Sequence, residues 1–168
     1  MKKILNFYFP CIEDGGLEKN VFALVNSLAE KKYKINFFTY TDNTKNKKIR
    51  NKFFFNKKIN VVTSNFLPGI ESRYLKYLFC FSRLFLSCLI NKGVIISFQG
   101  NILPIIVAKI TGKKIIIRCN TAPSKYINNN FKKIFFKSFY SLSDLILVTS
   151  NDFKKEIHKY FQLKSYVH

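Results

Sequence analysis

The chain alternates between short apolar runs and longer stretches that place apolar residues on one side. The short runs are rich in Ile, Val and Phe and lie at 2–9, 34–40, 59–64, 94–98, 115–119 and 145–150. The longer stretches have helical spacing and lie at 17–32, 72–91, 101–111, 126–141 and 151–161. Near-continuous Ile and Val runs indicate strands buried on both faces, and helices between such strands indicate parallel crossovers. The pattern therefore predicts a single α/β domain, Rossmann-like and doubly wound, with a mostly parallel sheet.

The length and the cysteines fit a single domain with free thiols. A chain of 168 residues can bury roughly two thirds of its unfolded surface, so it needs no covalent crosslinks. The four cysteines lack CxxC spacing, and Cys80 and Cys88 would stand about 12 Å apart along a helix, too far for a disulfide. The start, MKKILNFYFPC, lacks the cleavage site of a signal peptide. We therefore expect a cytoplasmic chain.

The loop after the first predicted strand has the composition of a ligand-facing turn. In doubly wound sheets the ligand lies beyond the carboxyl ends of the strands. In EDGGLEKNV, residues 13–21, Gly15 and Gly16 allow close backbone approach, and the next helix directs free amides into the crevice. The segment matches neither GxGxxG nor the P-loop, so a dinucleotide site is not expected. The alternative is a plain strand-to-helix turn in which Glu18 favours the helix N-terminus.

Three segments, in this order, resemble the N-terminal domain of glycosyltransferase family 4, whose members are GT-B enzymes that retain anomeric configuration. They are GGLEKNVFALVNSLAEKKYKINFFT, KKIIIRCNTAP and SDLILVTSNDFKKEIHKYF, at 15–39, 113–123 and 143–161. The resemblance implies a Rossmann-like domain that binds a sugar acceptor and faces a second domain across a cleft. A nucleotide sugar is then the co-substrate, held mainly by that second domain, and no other cofactor is implied.

Residues 1–168 contain no counterpart of the second domain or of its paired glutamates. We therefore expect 1–168 to be the N-terminal domain alone, as a fragment, one chain of a split enzyme or a remnant, and to be inactive without the donor domain. The implied reaction is transfer of a sugar to a lipid-linked or saccharide acceptor in cell-surface glycan synthesis. The alternative is a non-enzymatic Rossmann-like module, or a truncated remnant, that binds an anionic partner.

The resemblance carries site residues over position by position. Gly15, Gly16 and Glu18 match a glycine pair and an acid that face the donor diphosphate and the acceptor. Arg118 and Asn120 match polar positions after the fifth strand, where Arg can bind phosphate and Asn can bind sugar hydroxyls. The remaining candidates, on the loop after the fourth predicted strand, are Gln99 and Asn101.

The sequence assigns no catalytic residue and no metal ligand. Its nine acids form no cluster with metal-ligand spacing, and no GxSxG nucleophile elbow occurs. Many family members have a histidine near the site loops. The two histidines here, His158 and His168, lie near the end of the sequence instead.

The net charge of +20 indicates either an anionic partner or a surface enriched in lysine by compositional drift. Segment 45–58 has seven Lys and Arg residues and no acid around three phenylalanines. This composition predicts contact with an anionic membrane, at its inner face, and a mobile loop is the alternative. The residues expected to make the contact are Lys47, Lys48, Arg50 and Lys52. Nucleic acid is ranked last, because the lysines occur as scattered pairs rather than along one groove-reading helix.

The stretch 73–90 is apolar apart from one narrow polar stripe. The stripe consists of Arg73, Lys76, Cys80, Arg83 and Ser87. The charges at Lys76 and Arg83 interrupt the apolar run, which excludes a membrane-spanning helix. We expect a core helix whose thin exposed edge is this stripe, and the alternative is a membrane-surface helix.

Overall fold

A parallel β-sheet forms the centre of the protein. We describe it from a computed structural model that covers residues 3–13, 15–31, 33–40, 55–63, 71–163 and 166–167. Within these residues the strands are β1 (Ile4–Tyr8), β2 (Lys34–Thr39), β3 (Ile59–Thr63), β4 (Val94–Ser97), β5 (Ile115–Arg118), β6 (Leu145–Leu147) and β7 (Tyr166–Val167). They pair in parallel in the order β3-β2-β1-β4-β5-β6-β7. The order reverses direction between β1 and β4, as in a doubly wound sheet.

Helices cover both faces of the sheet. They are α1 (Gly16–Glu30), α2 (Arg73–Ile90), α3 (Ile102–Thr111), α4 (Asn130–Tyr140) and α5 (Asn151–Phe161), with a short 3-10 helix at Pro123–Lys125. On one face, α1 buries Val21 in a cluster with Phe7 and Phe37. On the other face, α2 to α5 pack over a second apolar cluster that includes Ile95 and Ile117. This arrangement is the predicted Rossmann-like α/β fold.

The predicted elements are present, and side-chain caps explain where their ends differ from the prediction. The strand β6 stops before position 150 because the Ser150 side chain accepts a hydrogen bond from the Phe153 amide and begins α5. The helix α4 begins later than predicted because the Asn129 side chain accepts a hydrogen bond from the Lys132 amide. The strand β7 was not predicted, since two residues show no periodicity.

The helix α2 turns a different side to the core from the one predicted. Cys80, at the centre of the stripe expected to face solvent, is fully buried together with Leu84 and Cys88. The outer side instead exposes Leu75, Leu78, Leu86 and Leu89. The small cysteine side chains let α2 lie close to the sheet, where the Tyr8 hydroxyl donates a 2.7 Å hydrogen bond to the Tyr77 carbonyl. The prediction of the stripe as the exposed edge is therefore wrong at its centre.

An asparagine ladder links three neighbouring strands. Asn6, Asn36 and Asn60 stand in register across β1, β2 and β3. Asn36 Nδ2 donates to Asn6 Oδ1 at 2.8 Å, and Asn60 Nδ2 donates to Asn36 Oδ1 at 3.0 Å. Asn6 Nδ2 donates in turn to Asn91 Oδ1 at 2.9 Å, just after α2. The ladder gives the buried side-chain amides hydrogen-bond partners. It also favours this register of the three strands, because a shift would break these hydrogen bonds.

The four cysteines are all free, as their spacing predicted, and all four are buried. The basic residues Lys47, Lys48, Arg50 and Lys52 lie outside the described residues, so the predicted membrane contact stays a prediction. Within the described ranges, no helix combines the length and the hydropathy that crossing a bilayer requires.

Candidate functional site

A cleft of about 730 Å³ opens at the carboxyl ends of β4 and β5. Residues 98–103, which follow β4, and 118–121, at the end of β5, form one part of its lining. The first turns of α2, one side of α4, Leu17 on α1 and Tyr126 form the rest. In doubly wound folds ligands bind at this edge of the sheet, near the reversal of strand order. The volume is in the range of sites that enclose a small organic ligand.

Four of the predicted site residues meet in this cleft, namely Gln99, Asn101, Arg118 and Asn120. Their three amides also hold the loops of the site to one another. Gln99 exchanges two hydrogen bonds of 3.0 Å with the backbone of Cys11, after β1. Asn101 donates to the last carbonyl of β5 at 3.0 Å, and Asn120 donates to the carbonyl of Phe98 at 2.6 Å. These amides therefore fix the shape of the cleft as well as lining it.

Arg118 supplies positive charge to the cleft. Its guanidinium lies over the ring of Phe98, with 5.8 Å between the guanidinium carbon and the ring centroid. Burial lowers the pKa of Arg118, but a guanidinium still remains a cation at neutral pH. No carboxylate of the described residues forms an ion pair with it. A partly buried cation in this setting can bind a phosphate or carboxylate through two parallel hydrogen bonds.

Aromatic side chains form much of the cleft wall. They are Tyr74 and Tyr77 on α2, Phe98 after β4, Tyr126 after the 3-10 helix, and Phe136 and Tyr140 on α4. Such rings offer large apolar surfaces to a ligand, and the tyrosines add a polar end. This wall was not predictable from the sequence, because the spacing of residues within a helix does not show whether that helix reaches the edge of the sheet where ligands bind. The signal that the sequence offered was its aromatic content of 17%.

Three of the lining groups carry protons in buried positions. The Tyr126 hydroxyl is buried without a hydrogen-bond partner, although Tyr140 lies beside it. Burial raises the pKa of Tyr126 and Tyr140, and it raises the pKa of Cys119 to about 12. All three groups therefore stay neutral at physiological pH. The Tyr126 hydroxyl is available to donate to a ligand oxygen.

Gly100 brings the loop after β4 against α2. Its φ of +58° lies in the left-handed region that residues other than glycine rarely adopt. A Cβ at this position would also come within 3.1 Å of the Tyr77 ring. Both constraints require glycine here, and the resulting close approach closes one side of the cleft.

The glycine turn adjoins the cleft without lining it. Leu17 lines the cleft, whereas Gly15, Gly16 and Glu18 do not. The Glu18 carboxylate is buried and accepts a 3.3 Å hydrogen bond from the Glu13 amide. An acid at this third helical position stabilises the helix start by binding backbone amides before it. Contact of the three residues with a ligand stays a prediction, and so does the alternative of a plain strand-to-helix turn.

An ion pair crosses the outer rim of the site. Arg73, at the start of α2, pairs with Glu13, after β1. Within the described residues, the cleft lining contains no carboxylate and no histidine. The same part of the chain has no His, Cys, Asp and Glu cluster that could hold a metal ion. An anionic ligand therefore meets cations but no repelling acid in this lining.

No protein-family model and no curated protein matches the sequence. Solved plant glycosyltransferases match its fold, each at 12% identity. A UDP-glucosyltransferase from Polygonum tinctorium, which can glucosylate indoxyl, matches with a TM-score of 0.59 over 100% of this chain and 52% of its own. UGT2 from Phytolacca americana, complexed with UDP-2fluoro-glucose and pterostilbene, matches with a TM-score of 0.60 over 99% of this chain and 52% of its own. A UGT from Glycyrrhiza uralensis, complexed with glycyrrhetinic acid 3-O-monoglucuronide, matches with a TM-score of 0.57 over 99% of this chain and 48% of its own.

The chain spans about half the length of these matched enzymes. At such low identity the likeness shows the fold alone, and it does not confirm membership of family 4. The chain has the Rossmann-like fold of one half of a GT-B glycosyltransferase.

Proposed function

We propose that this chain is the acceptor-binding half of a retaining GT-B glycosyltransferase of the family 4 type. The reaction moves a sugar from a nucleotide sugar to a lipid-linked or saccharide acceptor used in cell-surface glycans. The observation that carries the proposal is the cleft, in which an aromatic wall stands beside the Arg118 cation at the ligand edge of the sheet.

The lining suits an acceptor that combines an apolar body with an anionic group. The apolar body packs on Tyr77 and Phe136, and a phosphate next to it pairs with Arg118. Tyr126 donates its otherwise unused hydroxyl to an acceptor oxygen. The matched structures support the apolar part of this proposal, since their ligands include pterostilbene and 3,4-dichloroaniline. A lipid phosphate has both properties.

The nucleotide sugar is bound mainly by a second domain in this proposal. Negative charge develops on the departing nucleotide diphosphate, and it is stabilised best by donors on both sides of the cleft. The turn at Gly15 and Gly16, with the first amides of α1, contributes donors from this side. The chain by itself is therefore expected to bind an acceptor without transferring sugar to it.

The same proposal places the protein in the cytoplasm, at the inner face of a membrane that carries the acceptor. The basic residues Lys47, Lys48, Arg50 and Lys52, outside the described residues, contribute attraction to anionic lipid headgroups. This attraction is electrostatic, so it weakens as salt rises.

The test separates acceptor binding from transfer. Isothermal titration calorimetry on the full chain is expected to show binding of farnesyl phosphate and much weaker binding of farnesol. Arg118→Gln should weaken phosphate binding by about 1.5–3 kcal/mol, because it removes hydrogen bonds from a charged donor. The matched control is Lys125→Gln, which removes an exposed cation that does not line the cleft.

Three results would count against the proposal. The first is equal affinity for farnesyl phosphate and farnesol, and the second is an unchanged affinity in Arg118→Gln. The third is formation of a glycosyl product by the purified chain from UDP-glucose and farnesyl phosphate. Equally tight binding of NAD or inorganic phosphate would instead favour the non-enzymatic module that binds an anion.

A further inference from the structure

The outer side of α2 carries two pairs of exposed leucines, with the exposed Ser82 between them. Leu75, Leu78, Leu86 and Leu89 recur with helical spacing and therefore share one side. Their exposed fractions lie between 45% and 59%. Several large apolar side chains exposed on one side of a helix usually mark a surface that meets a partner or a membrane.

The helix α4 adds a second apolar row on the same face of the sheet. Phe131, Ile134 and Phe135 are spaced by three and four residues, and Phe131 is 77% exposed. The rings of Phe131 and Phe135 stack with centroids 6.4 Å apart. Exposed lysines lie on this helix at Lys132, Lys133 and Lys137. Both helices pack over the same core cluster, with α3 between them in the chain, so their outer sides point away from the sheet.

The segment that carries these rows has charged residues of one sign, although one of them, Arg73, is paired with Glu13. Residues 72–143, which include α2, α3 and α4, contain twelve Lys and Arg residues and no Asp or Glu. An apolar row bordered by cations is the composition of elements that lie in the interface of an anionic bilayer. Each lysine near such a surface adds attraction, and no acid in this span opposes it. Charge complementarity therefore selects an anionic lipid surface as the occupant.

We propose that the outer sides of α2 and α4 dock on an anionic lipid bilayer, on which the chain lies without crossing it. Phe136 and Tyr140 of α4 also line the cleft, so docking would bring the cleft to the membrane surface. This surface is separate from segment 45–58. It also stands apart from the sugar-transfer proposal, because lipid binding is measured whether or not the cleft binds an acceptor.

Tryptophan probes test the proposal directly. The chain contains no Trp, so one introduced indole reports only its own surroundings. The probes are Leu86→Trp on α2 and Phe131→Trp on α4, and the control is Leu24→Trp, a 41% exposed position on the opposite face. Phosphatidylglycerol vesicles should shift the emission of both probes to the blue. Phosphatidylcholine vesicles should shift it less, and the control should not respond.

Two triple variants with equal net charge test the role of the lysines, K132Q/K133Q/K137Q on α4 and K3Q/K19Q/K31Q on the α1 side of the sheet. Each lysine close to an anionic bilayer contributes about fivefold to partitioning, so the α4 variant should lose on the order of 100-fold. The α1 variant should change partitioning by less than about threefold, because its lysines face away from the bilayer. Circular dichroism verifies that both variants remain folded.

Several results would overturn the proposal. One is a blue shift at only one probe, at neither probe, or equally at the Leu24→Trp control. Another is the same loss of partitioning in both triple variants. A dimer by light scattering, with Leu86→Trp already blue-shifted before vesicles are added, would assign the surface to a second copy of the chain. Tighter binding to single-stranded DNA than to phosphatidylglycerol vesicles would assign it to nucleic acid.

Discussion

Gly15 and Gly16 are neighbours in sequence but have different surroundings. A Cβ at Gly15 would lie 2.5 Å from Oε2 of the buried Glu18, whereas a Cβ at Gly16 would meet nothing within 4 Å. We predict that Gly15→Ala lowers the free energy of unfolding by about 1–2 kcal/mol, because Glu18 must give up its hydrogen bond to the Glu13 amide. Gly16→Ala should change it by less than about 0.5 kcal/mol. Urea unfolding midpoints measure both.

The control for this pair is a Glu18→Ala background, in which the colliding carboxylate is gone. The cost of Gly15→Ala should largely disappear there. Equal midpoints for Gly15→Ala and Gly16→Ala, or a cost that persists without Glu18, would show that the collision is not the cause.

Single site residues were predictable from sequence where their position is local. Arg118 is the last residue of β5 and Asn120 lies two positions after it, so a strand prediction places both at the ligand edge of the sheet. Their environment was not predictable, because the ring under Arg118 comes from the loop after β4. Tyr126 was missed for the same reason: its unused hydroxyl is visible only once α4 is packed against the sheet.

At the scale of elements, the contribution of the asparagine ladder to stability can be tested at Asn6 in the strand β1. Asn6 is fully buried, accepts from Asn36 and donates to Asn91. We predict that Asn6→Ala lowers the free energy of unfolding by about 2–3 kcal/mol, because it leaves buried polar groups without partners. Asn60→Ala, at the exposed end of the ladder, should cost less than about 1 kcal/mol, since water can replace the lost partner.

Chemical denaturation of the two variants checks this prediction. Equal losses for Asn6→Ala and Asn60→Ala would contradict it. An unchanged midpoint for Asn6→Ala would mean that the ladder contributes nothing to stability.

Elements were predictable in kind but not always in orientation. Runs of Ile and Val identify strands because burial on both faces leaves no polar position. The helix α2 was also identified, but its buried side was not. Cys80 looked polar in the stripe pattern, whereas its small side chain is buried beside Leu84, and the other leucines of α2 remain outside.

The whole molecule should lose stability in alkaline solution. Burial raises the pKa of Cys88 to about 11 and that of Cys119 to about 12, against about 8.5 for an unfolded thiol. Below about pH 8.5 the folded and the unfolded chain both keep these protons, so the free energy of unfolding has its full value with respect to the thiols. Above it only the unfolded chain releases them, so the free energy of unfolding falls by up to about 1.4 kcal/mol per pH unit for each thiol. The fall ends as the folded thiols titrate.

Unfolding curves at a series of pH values between neutrality and about pH 10 measure this decline. A Cys88→Ala, Cys119→Ala double variant should show a flatter dependence over the same range. Its lower stability at neutral pH, from the small cavities, does not affect the comparison of slopes. An identical slope in parent and double variant would rule the thiols out as the cause.

The position of β1 between β2 and β4 also has a consequence for biosynthesis. The ribosome makes β1 and β2 close together, whereas Tyr8 at the end of β1 and Val94 at the start of β4 are 86 positions apart. At the usual speed of translation this interval takes roughly 4–17 s. During that time the edge of β1 that will pair with β4 is open, and Phe7 and Phe9 lack the Phe98 ring that packs against them in the folded protein. Slower codons between β1 and β4 should therefore increase cotranslational aggregation, and chaperones that bind the nascent chain should relieve it.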